Sequence, residues 1–242
     1  MNILLTGSEG FVGSHLSYHL KEEHNVIGFD IKNGQDILQS EFPKNIDLVI
    51  HLGGLSGVRD SLDKPTDYWK TNVIGTQRLF EHYRDTRILF ASSSTAHEPW
   101  KNPYAMSKYS MEQLNHNNSV GMRFTTVYGP SARKHMLIPK ILRNDVQYIN
   151  VNHIRDFIHV NDIVSAVQVI MNVTFRGVID VGTGVGNKLV DIADYFKIDY
   201  KSVIGGETER IDNTADTSIL NKFGWRAKTN LYEYIEQNKV VN

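Results

Sequence analysis

Tyr104 and Lys108 stand four residues apart in Tyr104-Ala105-Met106-Ser107-Lys108. On a helix the two side chains share a face, and a nearby ammonium favours the phenolate form of a tyrosine. The spacing therefore predicts that Lys108 tunes Tyr104 for acid/base work near neutral pH, far below the ordinary tyrosine pKa of ~10. Just upstream, the apolar run Arg87 to Ala91 ends in Ser92-Ser93-Ser94-Thr95. Hydroxyls at the C-terminal end of a central strand lie where parallel sheets bind ligands. A third group is Gly7-Ser8-Glu9-Gly10-Phe11-Val12-Gly13, a GxxGxxG pattern that follows an apolar strand and opens a helix. Glycines there permit a tight turn and a close approach of backbone to a pyrophosphate, with the helix N-terminus favouring the anion. Asp30 ends the next strand, placed to accept hydrogen bonds from ribose hydroxyls and to repel a 2′-phosphate, which favours NAD over NADP. Each signal has a plain reading of its own: a βα corner, a solvated strand-end acid, a surface helix. The order of glycine turn, acid, serine strand end and YxxxK carries the functional reading.

These groups need a frame. Asn2 to Thr6, Asn25 to Asp30, Ile46 to Leu52, Arg87 to Ser92, Met122 to Val127 and Val178 to Val181 read as buried strands. Helical patterns over Asp67 to Tyr83, Tyr104 to Asn115 and Asn161 to Met171 separate them. Alternation of this kind predicts an α/β protein: a Rossmann doubly wound parallel sheet with a small discontinuous C-terminal lobe. Residues 1–128 and 154–182 are assigned to the dinucleotide-binding domain, and 129–153 and 183–242 to the substrate lobe.

Composition narrows the partners. The 242 residues carry 26 Lys and Arg against 27 Asp and Glu, a net charge of -1, with no long basic run; nucleic acid is not an expected partner. There is no cysteine, hence no disulfide or thiolate chemistry, and no His spacing of the HExxH kind, so no metal site is expected. No apolar stretch approaches the ~20 residues that span a bilayer, and the first residues have no charged n-region, so the expected address is the cytoplasm.

The ordered motifs resemble those of the extended short-chain dehydrogenases/reductases, in particular the NAD-dependent sugar-nucleotide epimerase/dehydratase group. Thr6 to Gly13 resembles its TGxxGFxG turn, and His51-Leu52-Gly53-Gly54 its HxAA strand end. Asn72-Val73-Ile74-Gly75-Thr76 is similar to NVxGT, Val127-Tyr128-Gly129-Pro130 to VYGP, Arg155 to Asp162 to RDFxxVxD, Asp180 to Gly184 to NxGxG, and Phe223-Gly224-Trp225 to LGW. The resemblance implies a catalytic set of Ser94 (substrate hydroxyl partner), Tyr104 (acid/base) and Lys108. For the cofactor it implies Gly7, Gly10, Phe11, Val12, Gly13, Asp30, Ile31, Asp36, Ile37, Leu52, Gly53, Gly54, Asn72 and Ser92, with Tyr104 and Lys108. For a nucleotide-sugar substrate it implies Ser94, Thr126 and Arg155. It also implies a homodimer through the helices bearing Asp67 to Tyr83 and Tyr104 to Asn115, joined as a four-helix bundle.

The reaction it points to is NAD-dependent epimerisation at C4 through a transient ketone. No acid follows Ser94 directly, which argues against 4,6-dehydration, and Gly57-Val58-Arg59 is similar to a segment of UDP-sugar 4-epimerases. A reductase, dehydratase or decarboxylase on the same substrate class, and a non-catalytic dinucleotide sensor, stand as alternatives. Two departures from the family matter: few residues separate Ser94 from Tyr104, which shortens the active-site cover, and Thr126 stands where many epimerases have asparagine.

Overall fold

The computed structural model describes residues 1–114 and 116–240. Six strands, β1 (Asn2–Thr6), β2 (Asn25–Phe29), β3 (Leu48–His51), β4 (Arg87–Ser93), β5 (Ser119–Phe124) and β9 (Gly177–Val181), form one parallel sheet in the order β2-β1-β3-β4-β5-β9. Strand order reverses direction between β1 and β3, and the crevice beyond the C-terminal ends of those strands is the ligand position of such sheets.

Both faces of the sheet are covered, which is why its strands read as unbroken apolar runs rather than as alternations. Ile3, Leu5, Ile50, Leu89 and Met122 point to one face, under α1 (Phe11–Leu20) and α7 (Val160–Met171). Leu4, Val49, Ile88 and Phe90 point to the other, under α4 (Gly75–His82) and α5 (Pro103–Gln113). Asn115, the last residue of the helix read from the sequence, lies outside the described residues. The helix expected over Asp67 to Tyr83 is divided: α2 (Val58–Asp63) and α3 (Pro65–Tyr68) precede a π-helical turn at Trp69–Ile74, and only then α4.

The run Met122 to Val127 is also split. Phe124 ends β5, and β6 (Thr126–Tyr128) leaves for a second sheet, β10-β8-β6, with β8 (Ile154–His159) and β10 (Gly186–Lys188). Residues 154–159 therefore pair outside the six-stranded sheet, with Ile158 packed in the main core and Phe157 in that of the small lobe. Short apolar strands look alike in sequence, and only the pairing partner distinguishes the sheets. Conversely, α9 (Ser218–Lys222) and Trp225 return to the main core, where Leu220 and Trp225 pack with α7 and Trp225 Nε1 donates to Ser165 Oγ at 2.9 Å. The lobe's own core gathers Tyr128, Phe157, α6 (Leu137–Leu142), α8 (Leu189–Tyr195) and α10 (Leu231–Asn238), flanked by the pair β7 (Tyr148–Asn150) and β11 (Lys201–Val203).

Two acids join lobe to domain. Asp156, fully buried, accepts from Thr183 N and Oγ1, Gly184 N and Ala215 N. Asp162 accepts from Lys228 N and Thr229 N, both at 3.0 Å. Among the described residues no helix is long and apolar enough to cross a membrane, and no three His, Cys, Asp or Glu side chains converge for a metal.

Candidate active site

The glycine turn is built to bring backbone against backbone. Gly7 has φ +71°, and a Cβ there would lie 2.7 Å from Gly53 N. A Cβ on Gly13 would lie 2.0 Å from Gly7 O, so helix α1 can approach β1 this closely only through glycine. The first intrahelical bond of α1 runs from Ser14 N to Gly10 O, which leaves the amides of Phe11, Val12 and Gly13 directed beyond the sheet's edge. An anionic pyrophosphate fits this cradle.

Asp30 is buried at the end of β2. Its carboxylate accepts from Glu9 N at 3.0 Å and Lys32 N at 2.9 Å, tying the glycine turn to the strand end, while the neighbouring Ile31 is exposed. Asp36 accepts from Leu38 N and Gln39 Nε2, which hold its carboxyl below the usual range, and so closes its own turn. Ile37 packs beneath Gly75 in the core.

A directed hydrogen-bond chain fixes the opposite wall. Thr76 spends its hydroxyl proton on a carbonyl and can only accept from His51, so the neutral ring's Nδ1 accepts from the Thr6 hydroxyl (2.6 Å), which itself accepts from Gly53 N. His51 Nε2 then donates to Thr76 Oγ1 (2.9 Å), which in turn donates to Asn72 O. His51 is a neutral imidazole because burial, with Lys108 nearby, pushes its pKa down to about 3. Asn72, on the π-helical turn, is fully buried: Oδ1 accepts from Leu55 N, and Nδ2 donates to Leu55 O and to Ser107 Oγ. π-Turns recur at functional sites, and this one fixes the strand-end loop, Leu52 to Leu55, against α5. Gly54 lies between Asn72 and Lys108: a Cβ there would be 2.8 Å from Asn72 Oδ1 and 3.6 Å from Lys108 Nζ.

Helix α5 starts at the Asn102 cap, whose Oδ1 accepts from Ala105 N, and presents Tyr104 and Lys108 on one face as the spacing required. The electrostatics differ from the sequence expectation. Lys108 Nζ donates to Ala91 O at 2.8 Å, and burial lowers its pKa to about 8 against the opposing influence of Glu112. Burial raises the Tyr104 phenol, with the Ser93 hydroxyl and the Arg133 guanidinium pulling the other way. The phenol is thus protonated in the free protein, because desolvation of the phenolate outweighs its cationic surroundings.

The hydroxyl that bears on the Tyr104 phenol is Ser93, while Ser94, the one expected to hold the substrate oxygen, faces Asn213. Ser93 closes β4 and accepts from Thr95 N and Thr95 Oγ1, whereas Ser94, one residue on, turns away to accept from Asn213 Nδ2 at 3.4 Å. Three consecutive serines carry no mark of which one faces the helix; the point where the strand gives way to a 3-10 turn decides it. Ser92 is directed elsewhere again, donating to Glu112, which is held by two bonds from Arg123 at 2.8 and 2.6 Å. Glu112 was legible as the next residue on the Tyr104–Lys108 face, four positions beyond Lys108.

Thr126 and Ser94 are bridged by Asn213, whose Nδ2 reaches Thr126 Oγ1 at 3.0 Å and whose Oδ1 accepts from Asp156 N. Arg155 faces inward: Nη1 donates to Ile154 O and Ile211 O, and Nη2 to His153 Nδ1 and Glu209. Asn213, Arg133 and Glu209 come from segments distant in sequence and had no motif to mark them.

The model of the NAD dependent epimerase/dehydratase family matches residues 3–182. An uncharacterised protein of Methanocaldococcus jannaschii is 30% identical, over 69% of this chain and 70% of its own. A UDP-glucose 4-epimerase of Yersinia enterocolitica is 27% identical, over 98% of this chain and 96% of its own; the alignment runs to 323 positions, so that relative carries segments this chain lacks. Among solved structures, MoeE5 in complex with UDP-glucuronic acid and NAD superimposes with a TM-score of 0.86 at 28% identity, covering 98% of this chain and 97% of that one.

Proposed function

Because the chain belongs to the NAD dependent epimerase/dehydratase family, we propose that it binds NAD and epimerises a nucleotide sugar at C4 through a transient keto sugar. The observation that carries the reading is the convergence of Ser93, Tyr104 and Lys108 at the end of β4, beside a glycine cradle shaped for a pyrophosphate. The residues fit a dinucleotide: the α1 amides would receive its phosphates and Asp30 its ribose, with Gly53, Gly54 and Asn72 between them and Lys108.

Bound NAD supplies a hydride acceptor that returns the hydride to the other face of the same sugar carbon. Tyr104 Oη takes the proton from the sugar hydroxyl and gives it back. Burial keeps its phenol protonated in the free protein, so that proton must first pass to solvent while the site is open, and the Arg133 guanidinium and the Ser93 hydroxyl favour the phenolate that remains. Ser93 Oγ already accepts two hydrogen bonds from Thr95, so it has one proton to give; in the free protein that proton bears on the Tyr104 phenol, and with substrate bound it would turn to the sugar oxygen. The choice of epimerisation over dehydration rests on the residues after Ser93: Ser94-Thr95-Ala96 contain no acid, and Glu98 pairs with Lys101 at 3.6 Å. The UDP-sugars named with the relative and with MoeE5 support a UDP-sugar substrate.

A homodimer through α2–α4 and α5 is part of the same reading. Leu62, Trp69, Ile74, Met106 and Tyr109 are exposed apolar side chains on these elements. Leu62, Trp69 and Met106 also line a groove of about 570 Å³ with Trp100. Patches of this kind mark contact surfaces.

The test is incubation with NAD and a panel of UDP-, GDP-, CDP- and dTDP-sugars, read by mass spectrometry and proton NMR, with Tyr104→Phe as control. A product of unchanged mass with an inverted C4, absent in Tyr104→Phe, is the expected result. Loss of water or carbon dioxide moves the assignment to dehydration or decarboxylation, net cofactor turnover to a reductase, and silence across the panel to a dinucleotide sensor.

A further inference from the structure

Residues 205–213 form a strap across the mouth of the site. At its start Gly205 N donates to Asn152 Oδ1 at 2.8 Å, and a Cβ on Gly205 would lie 2.1 Å from Nε2 of the buried His153, so the strap can seat on that ring only through glycine. Three side chains then pin its course over residues 94–102: Lys101 Nζ donates to Glu207 O, Asn102 Nδ2 to Thr208 O, and Arg210 Nη1 to Ser94 O. The strap thus runs beside the same strand end that carries Ser93.

Glu209, in the middle of the strap, sits among cations. Its Oε2 lies 3.3 Å from Arg155 Nη2, and its charge also acts on Arg59, whose Nη2 is held by Tyr148 Oη at 2.7 Å; His153, 3.6 Å away, is not one of these cations, since burial lowers its pKa and its Nδ1 accepts from Arg155. Arg210 adjoins it in the chain. The other acid near Arg155, Asp212, is engaged by Thr214 N and Oγ1. Arg155 has Nη1 fixed to two carbonyls and one Nη2 proton given to His153 Nδ1, so the Nη2 proton left for an anion is the one Glu209 holds. The Glu209 side chain remains 26% exposed. A partly solvated carboxylate on one such contact is loosely held, whereas an unpaired group of arginines at a cleft would repel itself.

We propose that Glu209 is an internal stand-in for the substrate's diphosphate: it occupies the Arg155 edge in the free protein and is displaced, with the strap, when a diphosphate arrives. This rests on the nucleotide-sugar reading above and deepens it by naming what the substrate must compete with. The device selects for charge. A ligand carrying a single dispersed negative charge gains too little from Arg155, Arg59 and Arg210 to expel a carboxylate already there, while a diphosphate brings more charge and enough acceptor oxygens to reach more than one of these arginines at once. Residues 206–210 of the strap can yield because single hydrogen bonds to main-chain carbonyls hold them to residues 94–102, whereas Ile211 to Asn213 stay tied by Ile154 N to Ile211 O and by the buried Asn213 side chain.

The experiment is calorimetric titration of the natural chain and of Glu209→Gln with UDP and, separately, with inorganic pyrophosphate, at low ionic strength. Both ligands are expected to bind Glu209→Gln about fivefold or more tightly than the natural chain. Pyrophosphate is expected to raise the melting temperature of the variant more than that of the natural chain. Equal or weaker binding of both ligands by Glu209→Gln overturns the proposal; if UDP still binds both proteins, the nucleotide-sugar reading survives that failure. Tighter binding of pyrophosphate with no further gain for UDP upholds the stand-in and counts against the nucleotide. Failure of either ligand to bind either protein overturns both. Glu209→Asp, whose shorter carboxylate reaches Arg155 less well, is expected to fall between the two and serves if the glutamine variant does not fold.

Discussion

Replacing Ser93 and Ser94 one at a time by alanine separates two hydroxyls that stand side by side in the chain but face different groups. Ser93 Oγ accepts from Thr95 N at 3.2 Å and from Thr95 Oγ1 at 2.9 Å, and its one proton, which bears on the Tyr104 phenol in the free protein, would turn to a sugar oxygen when substrate binds. Removing a donor aimed at developing negative charge costs about 2.7–4 kcal/mol of transition-state stabilisation, or roughly a hundred- to a thousandfold in kcat. The fold loses less: Ser93 also caps the following 3-10 turn, and loss of a cap costs about 1 kcal/mol, which in a chain of this size lowers Tm by about 2–4 °C. Ser94 Oγ accepts only a long bond of 3.4 Å from Asn213, whose amide keeps its bond to Thr126, so Ser94→Ala should cost at most about 1 kcal/mol, or fivefold. Steady-state kcat and KM by proton NMR, with thermal melts of the same preparations, read both effects. A larger fall in kcat for Ser94→Ala than for Ser93→Ala, or a Ser93→Ala variant within fivefold of the natural chain, would refute the assignment.

Gly13→Ala places a Cβ 2.0 Å from Gly7 O, a main-chain atom that cannot swing aside, so the variant should lose NAD binding by calorimetry and melt well below the natural chain. Lys108 should set an alkaline limb in kcat/KM near pH 8, where its ammonium is lost, and Lys108→Arg should move that limb beyond the measured range. His51 is held neutral with its pKa depressed to about 3 from an ordinary 6.5. Between those values the unfolded chain binds the extra proton, so this residue's contribution to stability is full above pH 6.5 and declines as pH falls, at most about 1.4 kcal/mol per pH unit. Urea unfolding at pH 5 and 7 should show that slope diminished in His51→Gln; an unchanged slope would count against the neutral imidazole. Met106→Glu, in the exposed groove of α5, should shift the protein toward monomer in sedimentation velocity without changing its far-UV spectrum.

The glycine turn, Asp30 and the Tyr104–Lys108 pair were legible in the sequence because each depends on local geometry: a strand, a tight turn and a helix fix the relative positions of residues a few places apart. The six buried strands were legible for the same reason, as short apolar runs between helices. What the sequence left open depended on long-range pairing. That Ile154–His159 joins a second sheet and not the central one follows from its partners, β6 and β10, and nothing within the strand marks that choice. Which of three serines meets Tyr104 follows from where β4 ends against α5. Lys108 lies on the expected face, yet burial sends its ammonium to Ala91 O and keeps Tyr104 protonated, an outcome set by desolvation in the assembled core rather than by spacing along a helix. Asn213, Arg133 and Glu209 reach the site from loops more than a hundred residues from the glycine turn, and only the closing of the small lobe over the sheet brings them there. Local periodicity thus determined the elements and the cofactor cradle, while the surroundings of each charge were decided by tertiary packing, because burial and partner charges exist only once distant segments meet.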